Sequence, residues 1–186
     1  MRERVPRQIP ARLRPDTGNQ CPSPWEADRL RRLSRSQVAD RIEELGALYA
    51  AHSGSAACEE EWRTRTFVRR LVADTRRPGF SLVVAENGSL TACAYGFPLR
   101  DGLFEVRAIV VPRRVREQST SRDWNLARRL QRRLLVDEGH ATGLTLVDRT
   151  ELRTLAALRS WGWKDTPASP HGARLPDPRH VLLLAL

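Results

Sequence analysis

The sequence predicts one α/β domain, a mixed sheet with helices on both faces, and three observations carry that prediction. Two helical segments come first, two strand-like runs separated by Asn87-Gly88 follow, and strand, helix, strand, helix and strand patterns then alternate from Leu103 to the end. With 186 residues the chain is long enough for one well-formed core and short for two domains with linkers.

Residues 1–28 hold Pro6, Pro10, Pro15, Pro22 and Pro24 among early arginines, with no sustained periodicity, so a disordered basic tail is expected there and the domain from 29 to 186. Leu30 and Leu33 suggest a short edge strand. From Ser36, the positions Val38, Ile42, Leu45, Leu48 and Tyr49 recur at helical spacing, with Gly54 as the stop. A second helix starts near Cys58, with Glu59, Glu60 and Glu61 at its positive end and Arg76 and Arg77 at its negative end. Phe67, Val68, Leu71 and Val72 make its expected buried face, and Pro78-Gly79 ends it.

Phe80–Glu86 and Leu90–Pro98 read as strands joined by a two-residue turn at Asn87-Gly88. The run from Leu103 to Val111 sets Phe104, Val106, Ala108 and Val110 against Glu105, Arg107, Ile109 and Val111. It stops at Pro112. A loop from Arg113 to Ser121 leads into a helix whose Trp124, Ala127, Leu130 and Leu134 share a face, while Arg128, Arg129, Arg132 and Arg133 point away; Gly139 closes it. Leu144–Val147 is a short strand, and Leu152, Leu155 and Leu158 continue in a last helix before Trp161-Gly162-Trp163. After a Pro-rich loop, His180–Leu186 reads as a strand buried on both faces.

Lys and Arg outnumber Asp and Glu by 32 to 22, for a net charge of +10, and Lys164 is the only lysine. Such an excess attracts phosphorylated cofactors, nucleic acid and acidic surfaces and says nothing about fold. Most of these arginines are scattered along helices and read as solvated surface. Cys21, Cys58 and Cys93 show no metal-ligand spacing, so neither a disulfide framework nor a zinc site is expected. Apolar runs stay far below the ~18 residues of a membrane span, and the first residues lack a signal-peptide core, so a soluble, cytoplasmic protein is expected.

One place has a physical rationale for binding. The strand ending at Val111 passes through an arginine-rich turn into a helix N-terminus, where unpaired amides and the macrodipole favour an anion such as a pyrophosphate. Arg113, Arg114, Arg116 and Arg122 surround it. In the alternative reading, Ser121 or Ser119 caps the helix and the arginines are solvated. The histidines His52, His140, His171 and His180 have no nucleophile motif beside them and are expected in surface or capping roles. Cys93 reads as a small core residue, and Trp161 and Trp163 as packing for the last helix.

Phe104-Glu-Val-Arg-Ala-Ile-Val-Val-Pro112 with Arg116–Ser121, Leu144-Thr-Leu-Val147, and Leu158-Arg-Ser-Trp-Gly-Trp163 together resemble the GNAT acetyltransferase superfamily. The resemblance covers most of residues 36–186. It implies a mostly antiparallel sheet and acetyl-CoA as acyl donor. It also implies that Ile109, Val110 and Val111 bind the pantetheine arm, and that Arg116, Glu117, Gln118, Ser119, Thr120, Ser121 and Arg122 cradle the pyrophosphate. Ser119 and Ser121 stand where the family has small residues, usually glycine. A serine Cβ there obstructs the phosphates, or its hydroxyl donates to them. Leu158 holds the position of the family's usual tyrosine acid and Glu151 that of its asparagine, so a leaving thiolate takes its proton from another group or water, or departs unprotonated.

Glu105 is the candidate general base, expected on the same side as Ile109 and Val111, near where family members often carry a catalytic carboxylate. Its alternative role is an ion pair with Arg107 or a neighbouring strand. An amide of Val110 or Val111 would polarise the thioester carbonyl if a bulge frees it from the ladder. Tyr95, Phe97 and the loop from Thr166 to Pro178 are expected to shape the acceptor pocket. The implied function is acyl transfer from CoA to an amine of a small molecule or protein. Two alternatives remain: a GNAT-like binding or regulatory module without activity, and an aminoacyl-tRNA-dependent transferase, for which nucleic acid is the less favoured partner.

Overall fold

The computed structural model describes residues 28–53, 57–99, 102–112, 126–166 and 179–186. Strands β1 (Arg29–Leu33), β2 (Ser81–Glu86), β3 (Leu90–Pro98), β4 (Leu103–Val110), β5 (Thr142–Asp148), β6 (Lys164–Asp165) and β7 (Arg179–Ala185) form one sheet in the order β1-β2-β3-β4-β5-β7-β6. Every neighbouring pair is antiparallel except β4 and β5, which run parallel. Parallel strands need a crossover. Helix α4 (Leu126–Asp137) lies in that connection. The expected mixed sheet is therefore present, and β1 is its edge strand as the leucine spacing suggested. The stretch 1–27, expected as a basic tail, lies outside the described residues, as do Gly54 and Trp124. Asp28, placed in that tail, is buried, accepts from the Thr91 hydroxyl and has a pKa raised by burial.

Two cores lie on opposite faces of the sheet. On one face α1 (Arg35–Asp40), α2 (Ile42–Ser53) and α3 (Ala57–Asp74) bring Val38, Leu45, Phe67 and Leu71 onto Leu82, Val84, Cys93 and Tyr95. On the other, α4 and α5 (Leu152–Ser160) bring Leu130, Leu134, Leu155 and Leu158 onto Phe104, Val106 and Leu182. Ser34 and Gln37 form a reciprocal capping box at the start of α1. The single helix expected from Ser36 is interrupted at Arg41, which leaves helical geometry and bonds to Glu44 and Glu86. Cys93 behaves as a core residue whose thiol pKa is pushed up to about 12 by burial.

Several expectations need correction. Val72 is 42% exposed, because the buried stripe of α3 runs through Phe67, Leu71 and Asp74, at helical spacings that leave Val72 to one side. Arg76 and Arg77 lie beyond the helix end, where Arg77 pairs with Asp74 and covers the Phe97 ring. The hairpin loop has three residues, 87–89, since Glu86 pairs with Leu90, and a register shift at Ala85/Glu86 leaves Thr91 extra. Leu152, in the first turn of α5, is 71% exposed. In β7, Leu182 and Leu184 are buried while Val181 and Leu183 are only half-buried. The helices α1–α3 pack on the far side of the sheet from α4 and α5, and their core takes no residue from β7.

Trp161 and Trp163 pack against the sheet core as expected, but the polar residue that ties them to α4 was not foreseen. Gln131, buried on α4, accepts from the Trp163 indole N–H at 2.9 Å and donates to the Trp161 carbonyl at 3.0 Å. Replacing Gln131 with leucine strands both buried groups, and the expected loss is about 2 kcal/mol, read from the midpoint of urea unfolding.

Candidate active site

The feature that shapes the site is a fork in the sheet. Strands β4 and β5 pair over three positions, Leu103 with Thr142, Phe104 with Gly143 and Glu105 with Leu144. Beyond that rung β4 continues against β3, and β5 continues to Asp148 against β7. From Val106 onward, β4 therefore has no ladder partner on its β5 side. In an antiparallel pair only alternate residues bond to the partner strand, so part of the β4 backbone faces into the opening.

A bulge sits beside the fork. Tyr95 pairs with Ala108 and Gly96 with Val106, so Arg107 is an extra residue in β4. The strand alternation reverses across it. Phe104, Val106, Ile109 and Val111 belong to the α4–α5 core, while Ala108 and Val110 belong to the α1–α3 core. The expected placement of Glu105 on the side of Ile109 and Val111 is thus overturned, because the inserted residue turns the following side chains to the other face. Gly96 permits the bulge: a Cβ there would overlap the Glu105 carbonyl oxygen and lie 2.6 Å from the Phe104 ring. His52 has a use not anticipated for it. Its Nδ1 donates to the Val111 carbonyl at 2.9 Å and so fastens the end of β4 to α2.

Glu105 is 8% exposed and accepts from Arg107 Nη1 at 2.7 Å. Arg107 Nε also reaches Asp74 on α3 at 3.3 Å, and its guanidinium stands over the Phe97 ring. Burial works against the Arg107 charge, but Glu105 and Asp74 outweigh it, and its pKa is raised. The ion pair considered for Glu105 is therefore present, and it is largely buried.

A cavity of about 250 Å³ opens over this pair. Its charged walls come from five elements or their ends: Arg70 on α3, Glu105 and Arg107 on β4, Asp148 on β5, Glu151 ahead of α5 and Arg179 on β7. Val106 and Leu146 complete the lining. Asp148 accepts from the Thr150 hydroxyl and backbone N–H, bonds that hold its carboxyl below the usual range. Among the described residues no group of His, Cys, Asp or Glu is arranged to hold a metal ion.

The structure brings Glu105 and the fork together but leaves other expected site residues elsewhere. Arg116, Glu117, Gln118, Ser119, Thr120, Ser121 and Arg122 lie outside the described residues, as do residues 167–178. Tyr95 is buried against Phe67 and Phe80, and Phe97 lies under Arg77 and Arg107, so neither lines the cavity. Leu158 is part of the α4–α5 core and has no proton to give. The sequence reading missed Arg70, Asp148 and Arg179, which come from segments far apart in the chain. Only the period-2 alternation of β5, with Leu146 and Asp148 on one face, held a local signal for any of them.

No protein-family model matches the chain, and no curated protein matches it. Solved structures do match. The PaiA N-acetyltransferase from Thermoplasma acidophilum, determined in complex with coenzyme A, superposes with a TM-score of 0.60 at 11% identity, over 86% of this chain and 99% of that one. An acetyltransferase assigned to the GNAT family from Desulfovibrio desulfuricans gives a TM-score of 0.59 at 15% identity, over 86% and 99%. The ribosomal-protein-S18-alanine N-acetyltransferase from Escherichia coli gives 0.52 at 15% identity, over 86% and 92%. At these identities the likeness is one of fold.

Proposed function

We propose that this chain, whose fold is that of the GNAT acetyltransferases, is a cytoplasmic N-acyltransferase that moves an acetyl group from acetyl-CoA to an amine. The observation that carries the reading is the fork after Glu105 and Leu144, with a buried carboxylate at its apex. An extended arm such as pantetheine fits a strand edge with free amides, and the backbone of Ile109, Val110 and Val111 supplies that edge. Arg116 to Arg122, between β4 and α4, would hold the pyrophosphate.

Acetyl-CoA supplies a thioester, an activated acyl carbon with a thiolate as leaving group. Glu105 takes a proton from the acceptor nitrogen, directly or through water, as the N–C bond forms and the C–S bond breaks. Arg107 holds the Glu105 carboxylate in place during that transfer. An amide of Val110 or Val111 polarises the acyl carbonyl. With Leu158 in the core, the thiolate takes its proton from water, and one proton is released overall for each ammonium acceptor consumed.

Acetyl-CoA at ~100 times its dissociation constant is expected to add ~2.7 kcal/mol to stability, visible as a saturable rise in melting temperature. No shift at millimolar acetyl-CoA would overturn the reading. A second reading, a binding module without turnover, is favoured by the burial of Leu158 where the family's acid would stand. Release of free CoA in the presence of an amine separates the two.

A further inference from the structure

We infer that the acceptor is a small amine that also carries an anionic group, with its nitrogen directed to Glu105 and Glu151 and its anion held by Arg70. This rests on the reading of the cavity as the acceptor site. Most of the charges in the cavity already have partners. Arg107 is committed to Glu105 and Asp74, Asp148 to Thr150, and Arg179 stands by Asp148, whose charge it favours. Among the described residues, Arg70 has no hydrogen bond or ion pair, and the Glu151 side chain makes no capping bond or ion pair. One uncommitted cation on α3 thus shares the cavity with one uncommitted anion ahead of α5.

These two charges line the same cavity, beside the buried Glu105. A plain amine would satisfy Glu151 and leave Arg70 facing a like charge, and a plain anion would do the reverse. A zwitterion satisfies both. Depth sets the orientation. Glu105 lies buried at the apex of the fork, whereas Arg70 and Glu151 are both exposed, so the nitrogen that reaches Glu105 enters first and the anionic group stays outermost beside Arg70. The volume of about 250 Å³ is below that of common drug-sized pockets, which favours an acceptor of a few heavy atoms such as a free amino acid over a folded protein segment.

The test is a panel of free amino acids set against their carboxamides and decarboxylated amines, scored by CoA release and by direct binding to the CoA-loaded protein in calorimetry. The acids are expected to exceed their amides by about tenfold or more in kcat/KM and in affinity, the effect of one charge-assisted hydrogen bond. Arg70→Gln should bring the ratio to parity, and Arg70→Glu should reverse it in favour of the amines. Arg70 is exposed and unpaired on a helix, so neither change threatens folding. Equal use of acids and amides, an unaltered ratio in Arg70→Gln, binding of neither class at millimolar concentration, or a preference for peptides with blocked carboxyls would each overturn the inference. If the acetyl-CoA melting shift persists in such a case, only the acceptor class is wrong. Loss of that shift removes the parent reading instead.

Discussion

Glu105→Gln is expected to lower kcat for acyl transfer by about 10²–10⁴-fold, the usual worth of a positioned general base, with the acetyl-CoA melting shift unchanged. Glutamine keeps the shape of the side chain, and its carbonyl oxygen still accepts from Arg107, which also retains Asp74. The fold should therefore survive, so a fall in rate reports the lost base and not an unfolded site. The decision turns on magnitude. A side chain that only paired with Arg107 would change the rate little once the hydrogen bond is preserved. Steady-state CoA release with the best amine of the panel makes the measurement, and a rate within a few-fold of the wild type would place the base elsewhere.

Gly96→Ala should produce the largest structural effect of any single methyl group in the sheet, about 3 kcal/mol from overpacking. The added Cβ meets the Glu105 carbonyl oxygen and the Phe104 ring, both held in the sheet and buried core, so relief requires β3 and β4 to separate at the bulge. That movement would carry Glu105 away from the fork. Stability, read by urea unfolding, and CoA release should fall together. Gly88→Ala is the internal control: Gly88 has open space around it, and only its positive φ of 71° is strained, at a cost of about 1 kcal/mol. Equal losses at the two positions would show that β3 and β4 do not approach so closely.

Much of the scaffold was legible from local patterns. Asn87-Gly88 marked a hairpin, although the loop carries one more residue than the two-residue turn it suggests. Helical spacing placed Ala127, Leu130 and Leu134 on one buried face, and the strand run from Leu103 supplied the arm of the fork. Resemblance across Phe104–Pro112 and Leu158–Trp163 pointed to the GNAT fold, which the solved structures share. The break at Arg41, the Gln131 bridge and the short β6 strand were not legible, because each depends on partners remote in sequence.

The candidate site divides in the same way. By itself the sequence determined which segments become strands and helices, since period 2 and period 3.6 are local properties of side-chain order. It singled out Glu105 and the stretch Ile109–Val111. Tertiary structure alone decided which face Glu105 occupies, because the bulge at Arg107 arises from the register of β4 on β3 and from the space left by Gly96. It also decided that Arg70, Asp148, Glu151 and Arg179 gather over that carboxylate. Charge pairing in a cavity depends on distances through space, and segments separated by many residues carry no sequence pattern that encodes them.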